Sequence, residues 1–256
     1  MWHENVEDFG QEIEPDRTFR FECHPGLSCF GMCCATEITL TPYDIARLRR
    51  HLSVDTGAFL ATYCKTCIDP RMGFPFVVLK HKEDGKCVFL GSHGCDLYES
   101  RPSCCRNYPL ARVIDEDGKT GKRLIRYYLQ QQAIYCEGIG RGPAWTIGDY
   151  CEANGLGPYE KANDLFLDIP FTFNGLPYHV RQDREVHSML FGAVFNFDTF
   201  FEKYGRFPHT SVPEDDHEMI VLVRSITLNL MGKTADFKNP LPPGEGKWKF
   251  LESHQF

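Results

Sequence analysis

The chain concentrates thiols in one short stretch. Residues 21–34 read FECHPGLSCFGMCC and contain Cys23, Cys29, Cys33 and Cys34, the last two adjacent. The chain has twelve cysteines in all, and every one lies in its first 151 residues. Clustered thiolates are ligands for zinc and for iron–sulfur clusters, so metal binding is one chemistry that this stretch could perform. Disulfide bonding is the other.

The choice between metal and disulfides depends on the compartment. Disulfide frameworks belong to small secreted domains, whereas this chain has 256 residues and can bury a core without cross-links. Its opening residues, MWHENVEDFG, are acidic and lack the apolar segment of a signal peptide. The longest apolar run, residues 219–231, is interrupted by Arg224, Ser225 and Asn229 and is too short to span a bilayer. The sequence therefore predicts a cytoplasmic protein with no membrane partner, whose thiols stay reduced and bind metal.

Charge and motifs exclude several function classes. The net charge of −7 and the pI near 5.8 leave no basic surface for phosphate groups, so we expect no nucleic-acid partner. None of the sequence patterns HExxH, GxSxG, GxGxxG or the P-loop occurs. Whether the protein is an enzyme stays open, as does the identity of any redox partner protein or small-molecule substrate.

Adjacent cysteines carry geometric information. Neighbouring side chains point to opposite faces of a strand and diverge by about 100° in a helix. Cys33-Cys34 and Cys104-Cys105 therefore cannot easily serve one small ion together. A cluster several ångströms across, or two neighbouring centres, could use both members of a pair. The spacing indicates a multinuclear thiolate site and leaves iron and zinc as alternatives.

The cysteine-rich part of the sequence resembles the YkgJ-type cysteine-cluster proteins, a zinc- or iron-chelating family with a CxxCxxCC signature. The resemblance covers residues 20–140 through FECHPGLSCFGMCC, LTPYDIARL, CVFL, GCDLYESRPSCCRNYPL and YCEG. The first two gaps hold five and three residues here, instead of two each. The family's flagellin lysine N-methylase members imply a [4Fe-4S]-type cluster, but no segment here matches a methylase catalytic part.

The resemblance also implies a ligand set. Eight family cysteines correspond to Cys23, Cys29, Cys33, Cys34, Cys87, Cys95, Cys105 and Cys136. They could hold one cluster with spare ligands, two cubanes or one larger bridged cluster. Arg101 and Arg106 resemble the family's flanking arginines. We expect their guanidinium groups either to offset the charge of a thiolate cluster or to form ordinary surface ion pairs.

Four cysteines lie outside the family pattern, namely Cys64, Cys67, Cys104 and Cys151. Cys64-x2-Cys67 has the spacing of half a zinc site or of a redox dithiol. One hypothesis is that the four form an additional four-thiolate centre. The alternative is that each is a small buried hydrophobe.

The sequence signals for helices and strands around these cysteines predict an α+β fold. An irregular cysteine-rich domain over residues 1–155 holds a small antiparallel sheet and surrounding helices, and a mainly helical segment over residues 156–256 packs on it. Thr41, Pro42 and Asp44 begin an amphipathic helix, and Ser53 or Asp55 begins a shorter one. FPFVVLK and CVFL predict a hairpin about Asp84-Gly85, and residues 123–129 a third strand. Further helices are predicted over residues 145–153, 159–166, 186–195, 199–204 and 217–231.

The favoured functional prediction is an iron–sulfur protein that performs redox or electron-transfer chemistry at one or more [4Fe-4S]-type clusters or at a larger cluster. One alternative is a structural zinc protein that binds a partner. Another is a protein that stores or delivers metal through reversible thiolate binding.

Overall fold

The computed structural model describes residues 10–117, 120, 122–130, 136–204 and 213–235, and the chain folds as an α+β protein. It divides into two compact units. The first contains the described parts of residues 1–38 and 81–157, and the second those of residues 39–80 and 158–235. Residues 39–80, within the predicted N-terminal domain, thus cluster with the helical C-terminal segment.

The first unit is built from short antiparallel sheets. Its strands are β1 (Gln11–Ile13), β2 (Phe19–Phe21), β6 (Leu90–Gly91), β7 (Gly94–Cys95), β8 (Leu110–Glu116), β9 (Arg123–Leu129) and β10 (Ile139–Trp145). One sheet has the order β1-β9-β8, a second pairs β10 with β2, and a third pairs β6 with β7. Two helices join them, α3 (Ser103–Asn107) and α4 (Ile147–Ala153).

The core of the first unit is aromatic. Phe19 and Phe21 point inward from β2 and meet the ring of Tyr150 edge to face, with ring centroids 5.3 and 6.1 Å apart. Leu110 and Ile147 complete the buried cluster. Since Phe21 is the last residue of β2, this packing fixes the point at which the cysteine-rich segment begins.

The second unit combines a three-stranded sheet with helices. The unit's elements are β3 (Thr39–Leu40), α1 (Pro42–His51), α2 (Thr56–Tyr63), β4 (Cys64–Ile68), β5 (Pro75–Leu79), α5 (Gly157–Phe166), α6 (Asp168–Asn174), α7 (Tyr178–Arg181), α8 (Arg184–Val194), α9 (Phe197–Tyr204) and α10 (Asp216–Ala235). The sheet order is β3-β5-β4, and every pairing is antiparallel. None of the described helices combines the length and apolar character needed to cross a lipid bilayer.

The predicted start of α1 is confirmed. Thr41 precedes the helix, Pro42 is its first residue, and the Asp44 amide donates to the Thr41 hydroxyl at 3.2 Å. The Thr41 amide donates in return to the Asp44 carboxylate at 2.9 Å, which completes a capping box. Asp55 likewise caps α2 by accepting from the Ala58 amide at 2.7 Å.

The predicted hairpin is wrong in its second strand. The turn about Asp84-Gly85 forms, with Gly85 at φ 76° and the Lys82 amide donating to the Lys86 carbonyl. Beyond it, however, the two arms share only an isolated bridge between His81 and Cys87. FPFVVLK instead forms β5, which pairs with β3 and β4. The CVFL segment enters the turns that carry Cys87.

The remaining element predictions are confirmed to within a few residues. The third strand, residues 123–129, matches β9, and the helices predicted after residue 144 appear as α4, α5, α8, α9 and α10. The glycine-rich segment 138–142 belongs mostly to β10, which is irregular between Ile139 and Ala144.

Candidate metal centre

The segment between β2 and β3 is a chain of tight turns that holds four cysteines. The Leu27 amide donates to the His24 carbonyl at 3.1 Å, and the Met32 amide donates to the Cys29 carbonyl at 2.9 Å. Gly31, at φ 79°, then leads into a 3-10 helix over Met32–Ala35. Glycine suits that left-handed conformation because it has no Cβ to clash. These turns bring Cys29, Cys33 and Cys34 into a small volume.

Four sulfur groups gather where β2 and β10 meet, and we call them the strand-end thiols: Cys23, Cys29, Cys33 and Cys136. The Glu22 amide donates to the Gly138 carbonyl at 3.2 Å, which holds the residues beside Cys23 and Cys136 together. The Glu137 amide donates to the Cys29 sulfur at 3.3 Å. Desolvation, followed by the charges of Cys33, Cys136 and Cys29, raises the pKa of Cys23 to about 11.

A second set comprises Cys34 and three cysteines of the segment that follows residue 86, and we call these the loop thiols: Cys34, Cys87, Cys95 and Cys104. The Cys87 amide donates to the Cys34 carbonyl at 2.7 Å, and the Leu90 amide donates to the Cys87 carbonyl at 3.0 Å. Leu90 is the strand partner of Cys95. Burial raises the pKa of Cys87, and the charges of Cys95 and Cys104 add to that increase.

Cys33 and Cys34 connect the two sets. A hydrogen bond from the Cys34 thiol stabilises the Cys33 thiolate and lowers the pKa of Cys33 to about 7. The same bond raises the pKa of Cys34, with burial and the charges of Cys33, Cys87 and Cys95 acting in the same direction. At neutral pH, Cys33 is therefore about half ionised while its neighbour stays protonated, and a cation bound by both sulfurs would have to displace the remaining protons.

The two flanking arginines have different surroundings. Arg106 is buried and donates to three backbone carbonyls, those of Arg101, Asn154 and Glu99. Arg101 stacks on the exposed Tyr98 ring, with its guanidinium carbon 3.9 Å from the ring centroid. Burial raises the pKa of Cys23 and of Cys95, and the positive charge of Arg101 acts in the opposite direction on both. Arg101 therefore acts electrostatically on both sets of thiols, whereas Arg106 ties the backbone together.

The cysteines outside the family pattern occupy three different places. Cys64 and Cys67 lie on β4 in the second unit, opposite Leu79 and Phe76 of β5. Being three residues apart on a strand, they point to opposite faces, which is unlike half of a zinc site. Burial raises the pKa of Cys64 to about 12. Cys151, on α4, packs against the aromatic core of the first unit, and Cys104 is exposed on α3.

Cys105 is half-buried on α3, one residue after Cys104. The hypothesis of an additional four-thiolate centre concerns four other cysteines. Cys64 and Cys67 belong to the second unit, whereas Cys104 and Cys151 belong to the first. The strand geometry of the first two gives that hypothesis no support.

Histidines near the cluster make local contacts. His24 accepts from the Gly26 amide at 3.1 Å, His81 lies 3.1 Å from the Thr36 carbonyl, and His93 lies 2.8 Å from the Ser92 hydroxyl. Within the described residues, no three Cys, His, Asp or Glu side chains are arranged to hold a metal ion. No disulfide links any of the twelve cysteines, all of which lie in the described part.

The donor set fits a thiophilic metal. Both sets consist of sulfur donors, which zinc and iron–sulfur clusters prefer over the hard cations calcium and magnesium. Two groups also donate hydrogen bonds to sulfurs of the strand-end thiols: the Glu137 amide to Cys29, and the Tyr108 hydroxyl to Cys136. Burial, and then that bond to Cys136, raises the pKa of Tyr108, so it stays a protonated donor at neutral pH.

Comparison with known proteins agrees with this chemistry. Residues 22–136 match the family named CxxCxxCC, described as a "putative zinc- or iron-chelating domain". The match begins one residue before Cys23 and ends at Cys136, so it spans both sets of thiols. No curated protein and no solved structure shows significant similarity to the chain.

Proposed function

We propose that this protein is an iron–sulfur protein with a redox function. Its residues 22–136 match the CxxCxxCC family, whose description as a zinc- or iron-chelating domain supports metal binding. The observation that carries the proposal is an all-sulfur donor set that accepts hydrogen bonds from the Glu137 amide and the Tyr108 hydroxyl and that feels the positive charge of Arg101. Such surroundings stabilise the extra negative charge of a reduced cluster. Zinc would need no such donors for redox tuning, because it does not change its oxidation state.

The strand-end and loop thiols would hold the metal, and when bound an iron–sulfur cluster would accept and release single electrons. The chain's own contribution would be to fix the sulfurs and set their electrostatic environment. The Glu137 amide and the Tyr108 hydroxyl would hold Cys29 and Cys136 by hydrogen bonds to sulfur. Arg101 would offset negative charge on both sides of the cluster region.

The proposal extends to partner and compartment. Cys23, Cys33 and Cys104 are exposed, so a metal held beside them would lie near the surface, where electrons can pass to a redox partner protein. The thiols would also have to remain reduced until metal is loaded, which favours a reducing compartment such as the cytoplasm.

Anaerobic purification tests the proposal. We expect a brown protein with broad visible absorption that bleaches on reduction with dithionite, and with iron and acid-labile sulfide in equal amounts. A colourless protein that contains zinc and no sulfide would contradict it and would support the structural zinc alternative. Rapid loss of metal to a mild chelator, without unfolding, would instead support metal storage or delivery.

A further inference from the structure

Strands β8 and β9 form an antiparallel ribbon whose outer half extends beyond the third strand of its sheet. β1 pairs only with residues 127–129 of β9, at the base of the ribbon, where Tyr128 is buried. In the outer half, Leu124 and Ile125 are 52 and 45% exposed and lie on opposite faces of β9. Two strands alone, with apolar side chains in water, are marginally stable. The outer half of the ribbon therefore has apolar surface that a protein partner could cover.

β8 has the features of a strand that pairs with another strand. It is the outer strand in the sheet order β1-β9-β8. It pairs with β9 over all seven of its residues without a register shift, so no bulge interrupts it. Its sequence, LARVIDE, contains neither lysine nor proline. Bulges, lysines and prolines are the usual means by which edge strands avoid intermolecular pairing.

The hydrogen bonds at the two ends of the ribbon show which backbone groups of β8 point outward. At the base, the Gln130 amide donates to the Pro109 carbonyl at 2.9 Å. At the tip, the Asp117 amide donates to the Lys122 carbonyl, also at 2.9 Å. Hydrogen-bonded pairs alternate along an antiparallel ladder, so the odd-numbered residues of β8 bond to β9. The backbone N–H and C=O groups that point to the outer edge are those of Leu110, Arg112, Ile114 and Glu116.

We infer that the protein forms a two-fold symmetric dimer in which the outer edges of β8 from two copies pair antiparallel, with Ile114 on the symmetry axis. Ile114 then lies across from the partner's Ile114, and Arg112 lies across from the partner's Glu116. The three-stranded sheets of the two copies join into one sheet of six strands. This inference does not depend on the proposed metal chemistry.

Hydrogen bonding and charge both select this register. A two-fold contact needs a surface that is complementary to itself, and here opposite charges at residues 112 and 116 face each other. An axis at Val113 would instead place Arg112 across from Ile114 and would require the edge groups of Leu110. The Leu110 carbonyl already accepts from the Gln130 side chain at 3.2 Å. The axis at Ile114 leaves that contact intact.

The mass of the protein in solution tests the inference first. The full chain, kept reduced so that no intermolecular disulfide forms, is measured by sedimentation velocity over a dilution series. We expect a mass of twice the 29.4 kDa of one chain, falling to that of one chain on dilution. A single-chain mass at every concentration would overturn the inference. Species larger than two chains would also overturn it, because a two-fold contact closes on itself.

Two lysine variants distinguish edge pairing from packing of the apolar faces. Ile114→Lys places two like charges across the axis and should raise the dissociation constant of the dimer by about tenfold or more. Ile125→Lys is the matched control, because Ile125 lies directly opposite Ile114 on β9, one strand away from the edge. It should leave the dimer intact. Equal weakening by both variants, each shown to be folded by circular dichroism, would overturn edge pairing.

A charge exchange tests the register. Arg112→Glu places acidic residues across from each other and should weaken the dimer, whereas the double variant Arg112→Glu/Glu116→Arg should restore it. A double variant that dimerises no better than Arg112→Glu would overturn the axis at Ile114.

Hydrogen exchange tests the pairing without any variant. The Ile114 amide should exchange more slowly in concentrated than in diluted protein, while the Val113 amide, which bonds to β9 in both states, should change little. Equal exchange of the Ile114 amide at both concentrations would overturn the inference.

Discussion

Gly138 controls the distance between Cys23 and Cys136, and replacing it with alanine should disturb the strand-end thiols. A Cβ atom at Gly138 would lie 1.9 Å from the Glu22 carbonyl oxygen and 3.1 Å from the carbonyl carbon. Real Cβ atoms essentially never approach another heavy atom closer than 3.0 Å, so the two backbones must separate by about 1 Å at this point. The clash is with backbone, and no flexible side chain can relieve it.

The energetic cost of Gly138→Ala follows from two terms. Separating the backbones breaks or lengthens the 3.2 Å hydrogen bond from the Glu22 amide to the Gly138 carbonyl, which costs about 1 kcal/mol. Relieving the overlap in a buried position costs about 1–3 kcal/mol more. We therefore expect the free energy of unfolding to fall by about 2–4 kcal/mol. The displaced Cys23 and Cys136 should also bind metal less well.

Gly140→Ala is the matched control. Gly140 adopts φ 83°, which costs an alanine about 1–2 kcal/mol, but nothing lies within 4 Å of its added Cβ. Both variants should thus be less stable, whereas only Gly138→Ala should lose metal. Denaturant unfolding and metal analysis of the folded, anaerobically reconstituted proteins measure the two effects separately. Equal metal content in the two variants would refute the role given to the β2–β10 junction.

The remaining predictions concern the arginines, the helix cap and the pH response. Arg106→Gln should lower the free energy of unfolding by about 3 kcal/mol, since buried carbonyls lose their charged donor. The Arg101→Gln variant should stay folded, and the reduction potential of its iron-loaded form should be lower than that of the wild type. An unchanged potential would contradict the electrostatic role of Arg101. Thr41→Ala should lower the free energy of unfolding by about 1 kcal/mol, while Thr41→Ser should be close to neutral in the same denaturant titration. In chelator-treated protein, iodoacetamide should modify Cys33 with an apparent pKa of about 7 and leave Cys64, whose pKa is about 12, unmodified up to pH 9. Faster labelling of Cys64 than of Cys33 would contradict both pKa assignments. Because the pKa of Cys33 is lower in the folded protein than its ordinary value of 9.0, its ionisation favours folding above pH 9, and that contribution to stability should disappear as the pH falls through 7.

Local sequence signals predicted the elements that depend on neighbouring residues. The α1 cap needs only Thr41, Pro42 and Asp44, which are all within four residues, and β9 has the β-branched and aromatic composition of a strand. The second arm of the hairpin failed for a different reason. FPFVVLK is almost entirely apolar and forms the central strand β5, which pairs with β3 along one edge and with β4 along the other. A turn signal cannot reveal that competing partners lie elsewhere in the chain.

The sequence predicted the cysteines of the candidate centre more readily than their grouping. Spacing and resemblance identified the thiols. They predicted Cys105 as a ligand and Cys104 as a member of an additional centre with Cys64, and both assignments stay predictions. The division into strand-end and loop thiols depends on the β2–β10 junction and on the hydrogen bond between Cys87 and Cys34, which join residues far apart in the sequence. Such contacts leave no local pattern to read. The adjacent pairs Cys33-Cys34 and Cys104-Cys105 were the sequence signals that neighbouring thiols point in different directions.

The path of the chain explains why metal and fold should depend on one another in the first unit. The chain leaves this unit after residue 38 and returns at residue 81. Within the unit, exit and return are joined by the His81 side chain at 3.1 Å from the Thr36 carbonyl and by the Cys87 amide at the Cys34 carbonyl. Bringing the ends of this long intervening segment together costs conformational entropy, which these two hydrogen-bond contacts offset only in part. A metal bound by Cys34 and Cys87 would close the same loop with bonds that exist only in the folded state, and its binding free energy would add directly to folding.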